Sequence, residues 1–146
     1  MDSFDLMILK ELQENGKISM AELGRKIGLS TSATNERVKK LEQERIIKGY
    51  TAILDGEKIG MDITAFISVP VGNISIQEMA EMIAAMPQVQ ECHKVTGNTC
   101  FLVKVKARNT KELEHLIDQI NHAAPNTHTY LVLSTIKETT RIQVEK

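Results

Sequence analysis

An α+β chain in two parts is predicted by three observations. Residues 1–54 hold three capped helical patterns and no long β-branched run. Beyond Met61 the pattern changes to strand, helix, strand, strand, helix, strand. Between the two lies a short stretch with turn residues at Asp55-Gly56 and Ile59-Gly60. The expected division is therefore 1–54, a linker over 55–61, and a second domain over 62–146.

Taking the elements in order, Asp2 is placed to cap a first helix with Asp5 at its N3 position. Phe4, Ile8, Leu9 and Leu12 then form an apolar stripe that ends at Asn15-Gly16. A second helix opens on Ser19 in an S-x-x-E capping box with Glu22. Met20, Leu23 and Ile27 share one side of it, and Gly28 stops it because glycine takes the left-handed cap without strain. Ser30 caps a third helix reaching Glu44. At about 100° per residue, Thr34, Val38 and Leu41 face inward while Ser32, Glu36, Lys39, Lys40 and Gln43 face out. The first helix is expected to pack across Leu23, Ile27, Val38 and Leu41, since two helices alone cannot bury both apolar faces. Ile46, Ile47, Tyr50 and Ile53 read as a short β-ribbon or wing.

In the second part, Ile63 to Val71 is β-branched, and Ile76 to Met86 carries helical spacing that ends at Pro87. Val89 to Thr96 and Thr99 to Ala107 flank the hairpin signal Gly97-Asn98. Thr110 to Asn121 is a second helix, and Thr127 to Ile136 a last strand. The order βαββαβ is that of the ferredoxin-like fold, with both helices on one face of an antiparallel sheet. Phe101-Leu102-Val103 and Leu131-Val132-Leu133 are apolar at both parities, which predicts a second copy of the chain over the uncovered face.

Composition narrows the class. The chain has 146 residues, 42% apolar and 25% charged, as a globular protein does. No apolar run approaches the roughly 20 residues that span a bilayer, and the first residues lack a basic leader, so a cytoplasmic protein without membrane contact is expected. Cys92 and Cys100 stand outside any C-x-x-C spacing and predict reduced thiols. Cys92-His93 with Cys100 lacks the close ligand pairs of a metal site, and no nucleotide or zinc-protease motif occurs. Neither a metal nor a cofactor is expected.

A polar helical face is ordinarily only solvated surface. Here the net charge of the chain is −1, yet from Arg25 to Lys48 the basic residues Arg25, Lys26, Arg37, Lys39, Lys40, Arg45 and Lys48 outnumber Glu36, Glu42 and Glu44. Two helices joined by a glycine corner, with positive charge concentrated on the second, are expected to place that helix in the major groove of double-stranded DNA. The candidate contacts are Ser30, Thr31, Ser32, Asn35, Glu36, Arg37, Lys39 and Lys40.

Dispersed matches extend over essentially the whole chain: Asp5-x-x-Ile8-Leu9-x-x-Leu12, Gly16-Lys17-Ile18-Ser19, Gly28-Leu29-Ser30, Arg37-Val38-x-x-Leu41-Glu42, Ile46-Ile47-x-Gly49-Tyr50 and Ile59-Gly60. In these the sequence resembles the Lrp/AsnC (feast/famine) family of transcriptional regulators. The resemblance implies an N-terminal winged helix-turn-helix and a C-terminal ferredoxin-like domain that dimerises through its sheet. It also implies assembly of dimers, commonly to octamers, and a small effector such as an amino acid bound between dimers. The effector loop of the family often reads Gly-Asp-Tyr-Asp, whereas the matching stretch here is Gly97-Asn98-Thr99-Cys100. With Tyr130 these four residues are the effector-site candidates. Loss of both acids predicts weak binding of a free ammonium in this loop unless another subunit supplies a carboxylate. Siroheme decarboxylases resemble the same two-domain architecture, so an enzyme is the alternative reading of the fold.

Overall fold

The computed structural model describes residues 1–145. The chain divides into two compact units, one of Met1–Ile53 with the tail from Glu138 onward, the other Leu54–Lys137. Residues 138–145 thus group with the helical head. The cause is local. Gln13 of the first helix exchanges two hydrogen bonds with the Ile142 backbone: its Nε2 donates to the carbonyl at 2.9 Å and its Oε1 accepts from the amide at 2.7 Å. Arg141 adds an ion pair to Glu14 at 2.8 Å.

The head holds α1 (Ser3–Glu14), α2 (Met20–Ile27) and α3 (Thr31–Gln43). Asp2 and Asp5 form the full reciprocal capping box of α1. At α2 only half of the expected box is present: the Ser19 hydroxyl accepts from the Glu22 amide at 3.1 Å. Gly28 ends α2 at φ 81°, and its amide donates back to Gly24. Ser30 caps α3 through the Ala33 amide. Ile8, Leu12, Leu23, Ile27, Val38 and Leu41 are buried together, so the three apolar stripes meet as their spacing requires. The wing residues differ from expectation. Residues 46–54 form no strand, and Ile53 is 86% exposed. A ribbon needs a second strand, and the described residues of the head contain none.

The second unit begins with a 3-10 turn (Glu57–Ile59). It continues through β1 (Ile63–Val69), α4 (Ile76–Ala84), β2 (Val89–Lys94), β3 (Phe101–Ala107), α5 (Thr110–Ala123) and β4 (His128–Leu131). The sheet order β2-β3-β1-β4 is antiparallel throughout and is that of the predicted ferredoxin-like arrangement. Alternation along β1 and β3 sends Ala65, Ile67, Val69, Val103 and Val105 under α4 and α5, where they pack with Met79, Ile83, Leu116 and Ile120. The opposite face is more mixed than predicted, with Leu102 across from His93, Lys104 across from Glu91, and Tyr130 across from Phe66. β4 stops at Leu131, so Leu133 and Ile136, 93% and 98% exposed, lie beyond the sheet. No helix among the described residues is long and apolar enough to cross a membrane.

Candidate nucleic-acid interface and ligand cleft

The head presents α3 through a tight corner. Gly24 of α2 lies so close to the start of α3 that a Cβ there would stand 2.6 Å from the Leu29 carbonyl oxygen and 2.9 Å from the Thr34 hydroxyl. Thr34, the buried polar side chain of this unit, donates to the Ser30 carbonyl at 2.8 Å and so satisfies its hydroxyl within the first turn of α3. Ser30, Thr31, Ser32, Glu36, Lys39 and Lys40 are exposed, and Asn35 is half-buried. Lys40 lies 3.9 Å from Glu44 in a solvated i,i+4 pair, which leaves its ammonium on the surface.

Arg37 is placed differently from the other seven candidates. Its Nη1 donates to both Asp2 carboxylate oxygens at 2.9 and 2.8 Å and to Asp5 at 3.1 Å, and its guanidinium sits 5.2 Å from the centre of the Phe4 ring. The guanidinium is thus turned toward α1. Hydrogen bonds from the Asp5 amide and then from Arg37 hold the Asp2 carboxyl below the usual carboxylate range, and the same carboxylates raise Arg37. Lys26, counted with the basic set, is likewise tied to α1 by a 2.9 Å pair with Glu11. On the far side of α3, the Tyr50 hydroxyl donates to Glu42 at 2.9 Å. Burial first, then the carboxylate, pushes its pKa up to about 12.

In the second unit a cleft of about 510 Å³ opens at the end of β1, lined by Ser68, Pro70, Val71, Asn98, Thr99, Pro125, Asn126 and His128. Its volume suits a small organic ligand. Of the five candidates from the effector loop and last strand it takes in Asn98 and Thr99. Gly97, at φ 106°, shapes the loop without lining the cleft. Cys100 packs half-buried against the sheet–helix core, and Tyr130 lies on the open sheet face opposite Phe66. The sequence reading missed Ser68, Pro70, Val71, Pro125, Asn126 and His128. Only the Pro125-Asn126 turn left a signal, and nothing in the sequence joined it to the loop some 28 positions earlier. Hydroxyls fix the floor: Ser68 donates to Thr99 at 2.7 Å, and Thr99 donates to the Val69 carbonyl at 3.0 Å. Burial, with a smaller effect of Cys100, pushes the Cys92 thiol up. Among the described residues no three His, Cys, Asp or Glu side chains stand together as a metal site.

A capped helix-turn-helix head joined to a ferredoxin-like domain with a ligand-sized cleft defines the class of two-domain transcriptional regulators. The comparisons with known proteins are specific. Residues 1–48 match the winged helix-turn-helix DNA-binding model, and residues 64–142 match the Lrp/AsnC ligand binding domain. The chain belongs to the Lrp/AsnC family. It is 36% identical over 147 residues to the HTH-type transcriptional regulator FL11 of Pyrococcus horikoshii, covering 99% of this chain and 97% of that protein. It is 35% identical over 138 residues to the HTH-type transcriptional regulator LrpC of Bacillus subtilis, covering 93% and 94%. Among solved structures, an AsnC family transcriptional regulator from Agrobacterium tumefaciens superposes with a TM-score of 0.91 at 26% identity, covering 98% and 97%. A transcriptional regulator of Neisseria meningitidis in complex with L-Met gives 0.91 at 30%, covering 98% and 96%. These relatives make the chain a transcriptional regulator rather than an enzyme, which removes the decarboxylase alternative.

Proposed function

We propose that this regulator binds a specific DNA sequence as a dimer, through α3, and that a small molecule in the second domain modulates it. The observation that carries the reading is the exposed first half of α3 beyond a packed glycine corner. There Ser30, Thr31, Ser32, Asn35 and Glu36 offer donors and acceptors to base edges, and further along the helix Lys39 and Lys40 offer charge to phosphates. Arg37 serves this surface from behind, by fixing α3 on α1. A cytoplasmic location accords with this proposed DNA-bound role.

Exposed apolar side chains support the dimer: Ile53 and Leu54 where the head ends, Leu102 and Tyr130 on the sheet, and Leu133 and Ile136 past β4. A twofold pair of heads reads half-sites about one helical turn, roughly 10 bp, or a multiple of it apart. Dimers of this kind are also the units from which the octamers of the family would be built. The effector reading rests on the ligand-sized cleft and on the relative that binds L-Met. Selection of bound DNA from a random pool, followed by sedimentation of the free chain, tests both parts. A recovered palindrome and a dimer are expected. Recovery of unrelated sequences, or a monomer at micromolar concentration, would refute the reading.

A further inference from the structure

We infer that the cleft beside Asn98 takes a small carboxylate that carries no ammonium group, such as a 2-oxo acid, in preference to the corresponding amino acid. This rests on the effector reading above and names its ligand class. The lining residues include no Asp or Glu and no Lys or Arg. An ammonium entering the cleft gives up water and finds no carboxylate with which to form an ion pair.

An anion fares better there. The Ser68 and Thr99 hydroxyl protons are already committed, Ser68 to Thr99 and Thr99 to the Val69 carbonyl. The N–H donors of the lining side chains are therefore the carboxamides of Asn98 and Asn126 and the imidazole of His128. Asn126 is held at φ 71°, and its loop is fixed by the Thr127 hydroxyl donating to Asn121 at 2.6 Å. His128 lies directly across the ladder from Ser68, which fixes its Cα at the floor of the cleft. Asn98, Asn126 and His128 thus bring N–H donors from three backbone positions to the lining of a cleft that holds no competing carboxylate. Pro70, Val71 and Pro125 form apolar walls against which a short hydrocarbon chain packs. A 2-oxo acid presents a carboxylate and a carbonyl oxygen, both acceptors, to this set, and it has no cation to leave unpaired.

Calorimetry of the intact chain against matched pairs tests the inference: leucine with 4-methyl-2-oxopentanoate, and methionine with 4-methylthio-2-oxobutanoate. The oxo acid of at least one pair is expected to bind at least about tenfold more tightly than its amino acid. Asn98→Asp is expected to reverse that order by supplying the missing carboxylate. Asn126→Gly keeps the left-handed backbone without the carboxamide, and is expected to weaken the oxo acid severalfold while the melting profile stays unchanged. Tighter binding of the amino acid by the unaltered chain would overturn the ligand class and leave the effector reading standing. Heat from neither member of any pair, in a chain that still binds DNA, would overturn both. Binding that is unchanged in both variants would place the ligand elsewhere and overturn the assignment to this cleft.

Discussion

Replacing Gly24 by Ala tests how the head aims its reading helix. The new methyl carbon would stand 2.6 Å from the Leu29 carbonyl oxygen and 2.9 Å from Thr34 Oγ1, where ordinary contact begins at 3.4 Å. One neighbour is backbone and the other a buried, hydrogen-bonded side chain, so neither swings aside, and the corner must open by about 0.8 Å. Overpacking costs about 1–3 kcal/mol, and rigid neighbours put this site at about 3. Alanine inside a helix returns about 1 kcal/mol relative to glycine, which leaves a net loss of about 2 kcal/mol. In a domain of this size that lowers the melting temperature by about 8–16 °C. Calorimetry of the intact chain reads it as movement of the head transition, with that of the ferredoxin-like domain in place. Gly28→Ala is the control, because a Cβ there meets nothing within 4 Å and only the left-handed φ of 81° opposes it. Both variants lose stability, but only Gly24→Ala shifts α3, so only it loses DNA affinity well below its transition. A Gly24→Ala head that melts at or above the parent would refute the close-packed corner.

Other predictions follow from the same head. Lys39→Ala should weaken binding to every DNA sequence and lower the slope of log affinity against log salt by about one, as read by anisotropy titrations. Arg37→Ala should lower the melting temperature of the head and leave the selected DNA sequence unchanged, since the guanidinium is bound to Asp2 and Asp5; a change in sequence preference would show that it reads bases. Tyr50 should ionise near 12 rather than 10, as followed by phenolate absorbance. Its protonated form is the favoured one in the folded head, so the stability it contributes is complete below pH 10 and lost as pH rises through 12, and Tyr50→Phe should flatten that alkaline slope.

Much of this architecture was legible because it is local. Caps at Asp2, Ser19 and Ser30 and the break at Gly28 are written in residues within four positions of the backbone groups they serve. The β-branched run from Ile63 and the hairpin signal Gly97-Asn98 likewise announce strands from their own few residues. What failed was nonlocal. Arg37 reads as a DNA contact because it stands in a locally basic helix, and only the fold brings Asp2, Phe4 and Asp5 to its flank. The cleft gathers residues from β1, the loop after β2, and the turn before β4, and no spacing in the sequence links them. The apolar residues of 131–136 were assigned to one strand, but pairing with β1 runs out at Leu131.

The amide of Gln13 has a consequence for how the head is made. Its partner, Ile142, is 129 positions away, so the two hydrogen bonds at Gln13 wait for most of the chain to be synthesised. At ordinary elongation rates that is a delay of roughly 6–26 s, far longer than a three-helix unit needs to collapse. A nascent head is thus formed early with one polar flank of α1 still open to water. It is completed only once the residues around Ile142 have been made, so an antibody or protease directed at that flank would distinguish chains before that point from chains beyond it.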